Sequence, residues 1–284
     1  MGAFRSVYSD FMSSAISNNS PFSCALALCF FLPMMCATPA AAEDLFERLR
    51  ETRLTNLEDV IEAAGTDSLG SGAFLVKNPY SSSDQPDATP RDGTPSSAVC
   101  AVRFADDDPL AYALGSFPSI EEMETSGAIL THFGRCGSCS TLSDLAVYLE
   151  QPDLTTPARR CSRKSGAVQI KRCFMEQIGF TEACAESWTY NAINTRERCR
   201  NACVKTYGAL NLLMHRYPAP NNLPDGSLNA CLQCDEDLSG PGFKQSAGRT
   251  RRNSGIPSAI ERQDSEFRPV DHAAYFKNRS LDQD

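Results

Sequence analysis

Ten cysteines follow an apolar N-terminal run, and four of them form two Cys-x-x-Cys pairs, Cys136 with Cys139 and Cys231 with Cys234. The other six are Cys100, Cys161, Cys173, Cys184, Cys199 and Cys203. An even set downstream of an export-like leader reads as a disulfide framework of up to five bridges. Each bridge contributes about 2–4 kcal/mol, mostly by restricting the unfolded chain. A chain of 284 residues can also bury a true apolar core, so the bridges reinforce a fold and do not substitute for one.

The leader itself is the unbroken apolar run Cys24–Ala37, followed by Thr38, Pro39, Ala40, Ala41 and Ala42. Its length suits a signal-peptide h-region and is short for a membrane span, and Ala40 and Ala42 suit the −3 and −1 positions of a cleavage site. The competing reading is an uncleaved anchor stretched over residues 21–42, interrupted by Pro33 and Pro39. The expected organisation is therefore a signal peptide at 1–42, an N-terminal helical segment at 43–77, a flexible Pro/Ser-rich loop at 78–97 and a cysteine-rich domain at 98–284. No stable membrane span is expected after cleavage. A secreted or endomembrane-lumen location follows, and the final organelle stays open. The net charge of −8 argues against nucleic acid as a partner.

Periodicity places a helix over residues 43–64, where Leu45, Phe46, Leu49, Leu54, Leu57, Val60 and Ile61 recur at helical spacing. Short strands are expected at 99–104 and 128–133. A helix should follow Ser140 or Thr141, with Pro152 ending it. Residues 166–214 read as two or three helices broken near Gly179 and Gly208. Cys199 and Cys203, four apart, share a helical face and should clip it to neighbours carrying Cys173 and Cys184. Beyond Cys234 the chain is polar and Gly-rich, which suggests a surface wrap and not core. The fold class is mainly α with a few short strands (α+β), in a disulfide-stapled single domain.

Two stretches carry a resemblance. Thr131–Ser140 (THFGRCGSCS) and the segment from Cys231 (CLQCDE) through Ala247–Ile256 (AGRTRRNSGI) are similar to a group of cysteine-rich exported proteins of microbial eukaryotes. It covers about residues 127–275. No activity is assigned to that group, so the resemblance implies an exported single domain and supplies no mechanism.

Candidate chemistry is thin. Cys136-Gly-Ser-Cys139 between a strand and a helix resembles a thioredoxin-type redox site, but Arg135 stands where an aromatic would precede it, and later strands of that fold are lacking. The bland alternative is structural pairing. Four thiolates could bind zinc, yet 92 residues separate the two pairs and an oxidising compartment favours disulfides, so no metal or cofactor is expected. His132 precedes the Cys136 loop, and with a carboxylate it could serve a hydrolase; no Gly-x-Ser-x-Gly elbow accompanies it. Asp235 and Glu236 form a paired-carboxylate candidate or a solvated acidic turn. Arg249, Arg251 and Arg252 suit an anionic or carbohydrate ligand, or internal pairing with the Asp235–Asp237 turn. Asn278 heads a glycosylation sequon, Asn-Arg-Ser. The expectation is a secreted binding or structural module. The alternatives are a thiol–disulfide oxidoreductase using Cys136 and Cys139, or an extracellular hydrolase.

Overall fold

Strand β2 (Val99–Phe104) organises the molecule because both of its faces are covered. Side chains alternate across a strand, so Cys100, Val102 and Phe104 enter the main core while Val99 and Ala101 enter a smaller one with Met123 and Ala128. The computed structural model describes residues 39–57, 59, 76–81 and 97–277. The apolar run before Pro39 that is expected to be a signal peptide, most of the loop expected at 78–97 and the sequon at Asn278 lie outside the described residues.

The sheet has four strands in the order β1-β3-β2-β4. β3 (Ala111–Phe117) and β4 (Ile129–Phe133) flank β2 antiparallel, and the two-residue β1 (Arg53–Leu54) pairs parallel with β3. A register shift at Cys100/Ala101 interrupts the β2–β4 ladder. The short helix α2 (Ile120–Thr125) closes the smaller core through Met123, and Ser119 caps it by accepting from Glu122 N.

The helix expected over 43–64 is interrupted: α1 runs from Pro39 to Glu51, and Leu57 and Asp59 are helical again after the break. After α1 the chain turns into β1, and Thr52 Oγ1 donates to Leu49 O at the turn. Leu49 is buried in the main core, and α1 packs on α3 (Leu142–Glu150). Thr141 caps α3, and Thr181 caps α6 (Glu182–Arg198). Buried Asp144 joins the two caps: it accepts from Thr141 Oγ1 at 2.6 Å, Thr181 N at 2.8 Å and Thr181 Oγ1 at 2.8 Å. Burial raises its carboxyl, and these donors oppose the rise.

Between α3 and α6 lie α4 (Thr155–Cys161) and α5 (Ala167–Cys173), the latter running into a π-helical turn at Phe174–Ile178. After α6 come α7 (Arg200–Tyr207), α8 (Ala209–Leu213), α9 (Ala230–Leu238) and α10 (Gly240–Ala247).

The five bridges are Cys100–Cys136, Cys139–Cys184, Cys161–Cys173, Cys199–Cys234 and Cys203–Cys231. The clip expected from Cys199 and Cys203 to Cys173 and Cys184 is not formed. Their partners are the two cysteines of α9, so two bridges weld the start of α7 to α9. The geometric reason is spacing: cysteines four apart on one helix and three apart on another present two sulfurs to a single facing helix.

The segment after Cys234, expected on the surface, enters the core. Ala247, Arg249, Ser254, Ile256, Tyr275 and Phe276 are all buried.

Candidate functional site

The two stretches that carried the resemblance meet in space. Ser138 N donates to Ser246 O at 3.0 Å and Cys139 N to Ala247 O at 2.9 Å. At their crossing two glycines touch backbone to backbone. A Cβ on Gly137 would sit 2.6 Å from Gly248 N, and one on Gly248, whose φ is +71°, would sit 2.5 Å from Gly137 N. Only glycine permits that approach.

Arg249 locks the junction. It is 0% exposed, and all five of its N–H donors are used. Nε donates to Cys139 O at 3.1 Å; one terminal nitrogen donates to Thr131 O at 3.1 Å and Ser254 Oγ at 3.3 Å; the other donates to Thr131 Oγ1 at 2.6 Å and Ser140 O at 3.0 Å. None of these acceptors is a carboxylate. Arg249 is therefore placed away from any ligand, and its work is to tie β4, the Cys136–Ser140 loop and the Ser254 turn together.

His132 belongs to the same junction. Its Nδ1 lies 2.9 Å from Phe133 O, which can only accept, so Nδ1 carries the proton and Nε2 is left bare. Ser140 Oγ, 2.7 Å away, then donates to Nε2 while accepting from Gly137 N at 2.8 Å. A serine bonded to a histidine is the arrangement of a nucleophile and its base. Here both residues are fully buried, and no substrate can reach them. Burial and the Arg249 charge hold the imidazole well below its usual range, so it stays neutral. The hydrolase role written for His132 does not fit this sealed position. His272 is equally committed, with ring nitrogens 2.8 Å from Ser254 O and 3.0 Å from Tyr275 Oη.

The redox reading is also corrected. Cys136 and Cys139 do not pair with each other: Cys136 is bonded to β2 and Cys139 to α6. The loop between them wraps the Ser246–Gly248 backbone, which sends the two sulfurs to different elements. With all ten thiols in bridges, the four-thiolate zinc set is absent, and among the described residues no cluster of three or more His, Cys, Asp or Glu side chains could hold a metal.

A cavity of about 630 Å³ lies elsewhere, among α4, α6, α7, α8, α9, α10 and the chain at 250–262. Its size falls inside the roughly 300–1,000 Å³ range of small-molecule sites. Its apolar wall is built on Trp188, which contacts Phe174, Phe180 and Phe243 with ring centroids 5.7, 5.5 and 4.9 Å away. Leu154, Ala158, Ala192, Leu232 and Ile260 complete it.

The polar lining is lopsided, with eight Arg and Lys side chains against two carboxylates, Asp235 and Glu236. Glu236 is saturated: Lys244 at 2.7 Å, Arg262 at 3.0 Å and Arg252 all pair with it. Burial pushes its carboxyl up, but Lys244 and Arg252 outweigh that and bring it to about 2. Asp235 accepts from Thr195 Oγ1 and is raised by burial, with Thr195 and Asn191 opposing. Tyr80 closes this corner by donating to Ser239 O at 2.7 Å.

The remaining cations face inward or line the mouth. Arg159 donates to Tyr207 Oη at 2.8 Å and sits 4.6 Å over the Tyr217 ring. Arg251 donates to the carbonyls of Tyr148, Pro257 and Gln151. Arg163, Arg196 and Arg200 are exposed and make no ion pair among the described residues.

The structure thus brings Arg251, Arg252, Asp235 and Glu236 to one cavity and leaves Arg249, His132, Cys136 and Cys139 in a sealed junction. The single tryptophan, Trp188, reads from sequence as ordinary core. Arg159, Arg163, Arg196 and Arg200 pass unnoticed because they come from α4 and the turn after it, from α6 and from α7. Their one sequence signal is local: Arg159-Arg160 with Arg163, and Arg196, Arg198, Arg200, are basic clusters in an acidic chain.

A family model described as a family of unknown function (DUF8771) matches residues 167–270, the stretch that supplies most of the cavity lining. No curated protein and no solved structure matches the chain. Among the described residues no helix is long and apolar enough to cross a membrane.

Proposed function

We propose that the chain is a secreted binding module whose cavity takes an amphipathic anion. The apolar part of the ligand packs beside Trp188, Leu154 and Phe243, and the anionic head sits among the arginines at the mouth. The observation that carries this is the pairing of an apolar wall with a strongly cationic lining in a chain whose net charge is −8. A neutral sugar would leave that charge unused. Five disulfides are consistent with an oxidising extracellular or lumenal location, and secretion is the reading of the leader.

Trp188 makes the test direct, since it is the one tryptophan and lines the cavity. Titration with cis-parinaric acid, a fluorescent fatty acid that accepts energy from tryptophan, should quench Trp188 emission saturably. The methyl ester should bind more weakly. Arg196→Glu with Arg200→Glu should weaken binding by about tenfold, a little over 1 kcal/mol from two exposed charges. Unchanged Trp188 emission at saturating parinarate would sink the proposal.

A further inference from the structure

α8 is an apolar elbow over which nothing packs among the described residues. Leu210 is 68% exposed, Leu213 76% and Met214 47%, and none of the residues of α8 is buried. Single exposed leucines are ordinary on protein surfaces; three apolar side chains within five residues at a protruding turn are not. The surrounding chain is basic. From Arg198 to Arg216 there are four cations, Arg198, Arg200, Lys205 and Arg216, all exposed, and no Asp or Glu. The elbow is also part of the cavity mouth, because Leu212, Leu213, His215 and Arg200 line the cavity.

We infer that this elbow docks on an anionic bilayer surface, with Leu210, Leu213 and Met214 entering the interface and the four cations facing lipid headgroups. An apolar tip within a cationic collar is the combination that holds a peripheral protein at such a surface. A second copy of the chain is a poorer occupant. A two-fold contact sets the same patch against itself, and here that would oppose cation to cation. Docking in this orientation turns the cavity mouth toward the leaflet, so the ligand's source is the membrane itself. That last step rests on the proposed amphipathic ligand; the docking face does not.

The test is flotation of the full oxidised chain with vesicles of phosphatidylcholine, alone or doped with phosphatidylglycerol, at low and high salt. The chain should float with the anionic vesicles only, and salt should release it. Arg198→Gln, Lys205→Gln and Arg216→Gln together should lower the bound-to-free ratio by about a hundredfold. Leu210→Asp with Met214→Asp should abolish flotation. Neither of those two residues lines the cavity, so this variant should still quench with parinarate in free solution, which shows that it is folded. Absence of wild-type flotation, or undiminished flotation of the Leu210→Asp, Met214→Asp variant, overturns the docking face. So does a wild-type dimer in sedimentation velocity that this variant dissociates. Flotation with a silent Trp188 leaves the docking face standing and removes the cavity ligand.

Discussion

Replacing Arg249 by Met keeps a long apolar stem and deletes five hydrogen bonds at once. Three of the acceptors are backbone carbonyls, those of Cys139, Thr131 and Ser140, and all sit in the buried junction. A buried acceptor that loses its donor costs about 1–3 kcal/mol, so the three carbonyls together cost roughly 3–9 kcal/mol. The two hydroxyls, of Thr131 and Ser254, can rotate, and Thr131 Oγ1 also lies 3.1 Å from Tyr275 Oη. Against this stands relief from burying a guanidinium, several kcal/mol. The net expectation is a loss of about 3–5 kcal/mol. In a domain of this length about 1 kcal/mol moves Tm by roughly 2–4 °C, so Tm should fall by about 6–20 °C. Arg249→Lys should recover little, because one ammonium with three donors cannot span acceptors on β4, the Cys139 loop and the Ser254 turn. Arg251→Met serves as the comparison: that side chain is only partly buried, and its loss should cost about 1–3 kcal/mol. Differential scanning calorimetry on oxidised protein decides the matter. A variant with all five bridges and a Tm within about 2 °C of wild type would refute the idea that Arg249 holds the junction.

Stability against pH should separate the two cavity carboxyls. Glu236, lowered to about 2 in the fold from an ordinary value near 4.3, contributes stability that is present above about 4.3 and lost as pH falls through about 2; Glu236→Gln should therefore be less stable than wild type at neutral pH, and the difference should close in acid. Asp235, raised by burial, has the opposite sign: its penalty is absent below about 3.9 and grows as pH rises, so Asp235→Asn should gain stability at neutral pH, and thermal melts showing parallel curves for both variants would contradict these assignments. The bridges Cys199–Cys234 and Cys203–Cys231 close nested loops of 35 and 28 residues. Removing either pair by Ser substitution should cost only about 2 kcal/mol, because the survivor holds nearly the same loop, whereas removing both should cost about 6 kcal/mol in urea denaturation; equal, additive losses would show that the two bridges act independently.

Much of the scaffold was readable before the fold. Val99–Phe104 announces a strand through Val99, Val102 and Phe104, β-branched and aromatic residues set in a short segment that follows Pro- and Ser-rich chain, and Thr141 and Thr181 announce helix starts because a hydroxyl satisfies an otherwise free N–H. β3 was invisible for the converse reason. Ala111–Phe117 contains Ala, Gly and Ser, and it becomes a strand because β2 and β1 bracket it. The helix over 43–64 is interrupted because Arg53 and Leu54 pair with β3, a break that the helical spacing of Leu54 gives no sign of. The tail misled most. It is buried through Ser246, Arg249 and Ser254, which reach the interior by hydrogen bonding, so low apolar content hid a core segment. The candidate site split along the same line. Arg251, Arg252, Asp235 and Glu236 were legible as charge clusters, but the cavity they border draws on several helices and the chain at 250–262, and no linear pattern records such an assembly.

The doubled weld between α7 and α9 has a topological consequence. Residues 203–231 form a closed covalent ring, and α8 is carried on its outer arc. A protease that cuts anywhere within that arc nicks the molecule without dividing it. The two halves migrate together on a denaturing gel until a thiol is added. The exposed elbow can thus be severed while the rest of the chain stays joined in one piece.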